Sequence, residues 1–183
     1  MADLPDSGNL FAHKLAAGGP QQGSAYYHAH MPKLDLTTIA VKTGADYPAP
    51  FHEPVARRVR QRLGDAGGLT QFGVNRVELP PGCWSGQRHW HTEEDEFVYV
   101  IAGEVVLVTD QGEQLLRAGD CAAFPANTPN AHHLINRSAT GVVCLEVGSR
   151  RPNDRVLYTD IGMTYDAAAG AYFHNDGTDY CLR

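Results

Sequence analysis

Between residues 70 and 148 the chain is built of apolar runs of four to eight residues, each cut off by Gly, Asn, Asp or Pro. "LTQFGVNRVELPPG" reads as a strand closed by a Pro-Pro-Gly turn. "EFVYVIAGEVVLVTDQGEQLLRAGDCAAF" continues with strand-length segments in which Val105–Thr109 and Gln114–Leu116 flank the turn "DQGE", a hairpin signal. Strands recurring at this short spacing predict a β-sandwich or barrel. Upstream, "LDLTTIAVKTG" predicts a further strand. "PFHEPVARRVRQRLGDAGG" fits either a strand, with Arg58, Arg60 and Arg62 alternating on one face, or a short helix. Residues 1–35 have no sustained period and read as an irregular arm. Residues 36–183 form one domain with its barrel core at about 70–148, and the stretch after residue 150 reads as turns and short irregular pieces.

Composition narrows the class. A chain of 183 residues can bury a sizeable core, and 19 Gly with 11 Pro suit many turns. A net charge of -6 argues against non-specific binding to nucleic acid. No run approaches the ~18 apolar residues that span a bilayer, and the N-terminus lacks the apolar segment of a secretory signal, so a cytoplasmic protein is expected. The four cysteines have no CxxC spacing and read as reduced thiols. Cys121 and Cys144 lie in apolar text and are expected in the core. Cys83, close before His89, can either line a site or pack.

Chemistry concentrates in "GQRHWHTEEDEF", residues 86–97. Residues i and i+2 of a strand project to one face about 6.5–7 Å apart, so His89 and His91 can share one ion. The step from His91 to Glu96 is odd, and strict alternation would send Glu96 to the opposite face. A bend or bulge through "TEED" can turn it inward and leave Glu93, Glu94 and Asp95 in a solvated loop. Nitrogen and oxygen donors together suit a first-row metal. "NAHHLIN" brings His132 and His133 back as sources of a further ligand. A second HxH, His28 and His30, lies in the arm with no carboxylate following in strand context, and is read as surface or packing.

Gly82–(six)–His89–x–His91–(four)–Glu96–(six)–Gly103 resembles the first motif of the cupin superfamily, with one extra residue between Gly82 and His89. Gly119–(five)–Pro125 followed by His132–(three)–Asn136 resembles the second, with Asn127 where a glycine is usual and a longer loop before the histidine. The likeness extends to small bacterial single-domain cupins, some of which carry a sugar-phosphate isomerase description. It implies an all-β fold, the double-stranded β-helix or jelly-roll barrel, with His89, His91, Glu96 and His132 around one divalent transition metal (Zn, Mn, Fe, Ni or Co). Spacing to Asn136 favours His132 over His133 as the fourth ligand.

A metal held by four protein groups leaves positions for a small-molecule ligand. Three functions follow: an isomerase or lyase using the ion as Lewis acid, an Fe(II) dioxygenase, or a non-catalytic binder of a small ligand. The isomerase or lyase is preferred, because Arg58, Arg60 and Arg62 can attract an anionic metabolite; the competing reading makes them a solvated edge. Tyr99 and His133 are the candidates for a proton-transferring group, against an outward-facing placement for each. Exposed strand edges and the arm predict a homodimer, with the arm or the arginine strand covering an edge.

Overall fold

Gly, Pro and Asn turns divide the chain into short strands, and every pairing between them is antiparallel. The computed structural model describes residues 33–180. Its strands are β1 (Val41–Thr43), β2 (Val59–Arg62), β3 (Phe72–Leu79), β4 (Trp90–His91), β5 (Glu96–Ala102), β6 (Glu104–Thr109) and β7 (Gly112–Arg117). They continue with β8 (Cys121–Phe124), β9 (His133–Ile135), β10 (Val142–Ser149), β11 (Arg155–Tyr158), β12 (Met163–Asp166) and β13 (Ala171–His174). One wall is a six-stranded sheet in the order β1-β2-β3-β10-β5-β8. Facing it are a four-stranded sheet, β13-β12-β11-β4, and a three-stranded sheet, β7-β6-β9. The two smaller sheets meet where His89 and His132 exchange backbone hydrogen bonds, N to O at 3.1 and 2.8 Å. This is the jelly-roll expected from the sequence.

Period-2 alternation places the core. On β10, Val142 and Cys144 face inward with Val77 and Leu79 of β3 and Val100 of β5, and all are fully buried. Val105, Leu107 and Leu134 close the core from the other wall. Burial of each such Val or Leu side chain contributes about 1.5–3 kcal/mol. The outward residues of β5, Phe97, Tyr99 and Ile101, remain substantially exposed. The hairpin β6–β7 turns at Asp110–Gln111 as the "DQGE" signal predicts.

Four expectations change. The ambiguous segment holds both forms: β2 is a strand, and Leu63–Ala66 forms a single α-helical turn, α1. "LDLTTIAVKTG" yields only the three residues of β1, preceded by a turn in which Asp35 accepts hydrogen bonds from the Thr37 amide and hydroxyl. The stretch after residue 150 is a regular meander of β11, β12 and β13. Cys121 is exposed on β8, whereas Cys144 is buried in the core as expected and Cys83 packs there too. The arm, apart from its last residues, and the pair His28/His30 lie outside the described residues. No helix among those residues is long and apolar enough to cross a membrane.

Candidate metal centre

The chain leaves β4 in the four-stranded sheet, bends at Thr92 and Glu93, and enters β5 in the six-stranded sheet. The odd step between His91 and Glu96 is resolved by this change of wall. Glu96 begins β5 on its inner face, opposite Gly148 of β10. The loop between is tied down: Asp95 Oδ1 accepts from the Ala126 amide at 2.8 Å and Glu94 Oε1 from the Arg151 amide at 2.6 Å. Asn127 donates its backbone amide to His91 O at 2.9 Å. Its φ of +54° shows why a glycine is usual there, since asparagine is among the few side-chain-bearing residues that accept the left-handed region readily.

Three imidazoles converge on one carboxylate oxygen. Glu96 Oε2 lies 3.0 Å from His132 Nε2, 3.3 Å from His91 Nε2 and 3.5 Å from His89 Nε2. Bonds of about 2.1 Å to a cation put neighbouring donors about 3.0 Å apart in an octahedron and about 3.4 Å apart in a tetrahedron. The measured spacings have that size.

The outer nitrogens set the direction of the lone pairs. His91 Nδ1–H donates to Asp154 Oδ2 at 2.6 Å and His89 Nδ1–H to Gln87 O at 2.7 Å. With the proton on Nδ1, each Nε2 presents a lone pair to the centre. Asp154 is held for this task by the Glu93 amide at 2.8 Å and the Thr92 hydroxyl at 3.2 Å. His132 Nδ1 has no hydrogen-bond partner among the described residues, and its ring stacks on Phe124 at 3.5 Å. The donor atoms of His89, His91 and Glu96 all lie within 4.8 Å of one another, with His132 Nε2 beside the same carboxylate, a donor set that a cation completes.

The surrounding charges favour an ionised Glu96. Burial alone would raise the Glu96 carboxyl, but the His132 and His89 imidazoles outweigh it and hold the group well below the ordinary carboxylate range. Burial would also lower His91; its hydrogen bond to Asp154 and the charge of Glu96 raise it instead. Burial lowers His132.

Comparison with known proteins gives this geometry a family. Residues 75–148 match the model of the cupin domain. A sugar phosphate isomerase of the cupin superfamily from Silicibacter pomeroyi is 46% identical to this chain with a TM-score of 0.77, over 81% of this chain and 96% of that one. The chain is a cupin.

A candidate sugar phosphate isomerase from Acidithiobacillus ferrooxidans is 32% identical with a TM-score of 0.60, over 64% of the cupin and 74% of that chain. A polyketide cyclase from Streptomyces resistomycificus, 20% identical with a TM-score of 0.55 over 70% of the cupin and 85% of that chain, shares the fold. The chain matches no curated protein. Cupins usually bind a metal, and the cluster His89, His91 and Glu96 is a candidate site for one here.

The cluster opens into a cavity of about 260 Å³, and one of about 230 Å³ adjoins it through Arg60, Glu96 and Glu146. Tyr47, Tyr158 and Tyr172 wall the first, with Tyr158 packed 5.6 Å from the His89 ring and 5.5 Å from that of Tyr47. Burial pushes all three hydroxyls up, so they are neutral donors at pH 7.

The three arginines separate. Arg58 is buried and gives its two terminal nitrogens to the carbonyls of Ser85 and Gly44, while its Nε, like that of Arg60, has no partner among the described residues. Arg62 is half exposed and pairs with Asp65 at 3.6 Å beside the second cavity. Arg60 alone enters both cavities, its Nε enclosed without a hydrogen-bond partner among the described residues. Because β1 flanks β2, this strand is not the sheet edge that the solvated reading required.

Neither candidate for proton transfer keeps that place unaltered. Tyr99 is 41% exposed on the outer face of β5 and does not line the cavity. His133 is buried rather than exterior: its Nδ1 lies 3.2 Å from Gly86 O and its ring stands edge-on to Trp84 at 4.6 Å. Burial lowers it to about 4, so it is neutral at pH 7. Sequence reasoning missed Asp154, the tyrosines and Glu146. Only Glu146 left a readable trace, as an acidic residue at an inward position of "VVCLEVGS".

Proposed function

We propose that this cupin is a metal-dependent isomerase acting on a small anionic carbonyl compound of the sugar phosphate class, with His89, His91, Glu96 and His132 as the ligands. The observation that carries the reading is the convergence of three Nε2 atoms on Glu96 Oε2 at the wall of a cavity that also holds the unpartnered Arg60. The sugar phosphate isomerase from Silicibacter pomeroyi supports the choice of substrate class. A divalent cation bound there supplies a Lewis acid for a substrate carbonyl, and the donor set accepts Mn, Fe, Co, Ni or Zn.

The chain's own groups do the rest. Arg60 receives the anionic end of the substrate, since a guanidinium stays cationic even where burial pulls its pKa down. The neutral tyrosine hydroxyls donate to substrate oxygens, and the aromatic wall keeps water out.

The test incubates metal-loaded protein with three- to six-carbon aldose phosphates and follows the products by NMR under an oxygen electrode. The ketose isomer should appear without oxygen uptake. Oxygen uptake with Fe(II) would instead make the protein a dioxygenase, and a ligand retained without turnover would make it a binder. Arg60→Ala should weaken binding of the phosphorylated substrate by about 10–150-fold, the value of a charge-assisted hydrogen bond of about 1.5–3 kcal/mol. Isothermal titration with inorganic phosphate, wild type against variant, checks this.

A further inference from the structure

Charged groups around the cavity are mostly spent on the protein itself. Arg58 is held by Ser85 O and Gly44 O, Asp46 by Lys42, and Asp154 by His91. Glu146 is the exception among the carboxylates. It stands on the inner face of β10, in register with Val98 of β5 and Asn75 of β3, one inward step from Gly148, which faces Glu96. It lines both cavities, and its carboxylate has no hydrogen-bond partner among the described residues. Its ionisable neighbours, Arg58, Arg60, Glu96 and His89, act on it through charge alone.

A carboxylate on a core strand, enclosed yet open to the cavity, is costly without a task. Core strands β3 and β5 place Val77 and Val100 in the next inward row, so an apolar residue would pack at Glu146 without difficulty.

We propose that Glu146 is the catalytic acid–base of this cupin, removing and returning the proton on the carbon next to the substrate carbonyl. The inference rests on the isomerase reading above. In the step, the substrate C–H bond breaks and its proton passes to the Glu146 carboxylate. The C–H electron pair forms a C=C bond while the carbonyl π pair moves onto oxygen. Reversal returns the proton to the same carbon; delivery to the former carbonyl carbon instead, as the neighbouring hydroxyl loses its proton to become the new carbonyl and the oxygen that took the π pair gains one, gives the isomer, so no oxidant or further reactant is consumed. Arg60, on β2 of the same sheet and lining the same cavity, holds the anionic end and fixes which carbon faces the carboxylate. Burial raises the Glu146 carboxyl above its ordinary value, toward the pH at which one group can both take and give a proton.

The experiment follows deuterium entry from D₂O into the aldose phosphates by NMR, using metal-loaded full-length protein, with metal content and melting temperature measured on the same samples. Wild type should exchange. Glu146→Gln should keep its metal and its fold, lose exchange by about 10²–10⁴-fold, and lose the acid limb of the pH profile. Glu146→Asp, which draws the carboxylate back by one methylene, should fall about 10–100-fold, as expected for a misplaced catalytic group. If Glu146→Gln does not fold or sheds its metal, Glu146→Asp decides: reduced exchange with metal retained supports the assignment, and wild-type exchange overturns it. Exchange within about threefold of wild type in Glu146→Gln overturns the role of Glu146 and leaves the isomerase reading standing. No exchange by wild type on any sugar phosphate overturns that reading, and this inference with it.

Discussion

His91→Ala is expected to yield a folded barrel that has lost most of its metal. His91 supplies one of four converging donors and is the one braced by a buried carboxylate, Asp154, at 2.6 Å. Removing an outer partner of this kind costs about 10–100-fold in metal affinity, so Asp154→Asn should fall in that range and deletion of the imidazole itself should exceed it. The fold survives because Val77, Leu79, Val100, Val142 and Cys144 pack along the inner face of β10 toward its Val142 end, away from Gly148 and the cluster, and independent of any ion. Asp154 keeps its bonds from Thr92 and the Glu93 amide in the variant. Competition against a chelator, read beside circular dichroism, separates loss of metal from loss of fold. Full occupancy in His91→Ala would remove it from the ligand set.

Asn136→Ala should act the other way, sparing the donors and weakening the barrel. Asn136 is fully buried where β9 ends. Its Nδ2 donates to the carbonyls of Leu79 and Thr140, both at 2.7 Å, and its Oδ1 accepts from the Ser138 amide at 2.9 Å and hydroxyl at 2.8 Å. Its backbone bonds Cys83 O and the Gly82 amide, so one residue clips the Pro-Pro-Gly turn to the loop before β10. Alanine leaves buried carbonyls and an amide without the partner, at about 1–3 kcal/mol for each group that water cannot reach. A total loss of about 3 kcal/mol is expected, read as a lower urea midpoint at constant slope. A loss below about 1 kcal/mol would mean that water replaces the side chain.

Asn136 also shows which parts of the protein were legible beforehand. Its spacing from His132 distinguished His132 from His133, and the structure puts His132 Nε2 at Glu96 while His133 turns to Gly86 O. Local signals read well where the physics is local: the hairpin turn at "DQGE", and the shared face of His89 and His91. The path of Glu96 was legible only as a bend, because a change of sheet depends on partners more than fifty residues away, β10 and β11.

Asp154 and the tyrosines were not legible, since β11, β12 and β13 are four residues each and carry no long apolar run. Their strand character comes from pairing, with Val156 opposite His91, and not from propensity. Tyr99 failed as a candidate for a simple reason of parity. It sits three residues after Glu96 on a regular strand, and therefore on the other face.

Anomalous diffraction from crystals of untagged protein detects a cation among these side chains directly. Data collected at the absorption edge of the metal found by mass spectrometry should show a single peak per chain, bounded by Nε2 of His89, His91 and His132 and by the Glu96 carboxylate. A map without a peak at that position after loading with Mn, Fe, Co, Ni and Zn in turn, or with the peak at another set of residues, would contradict the metal site.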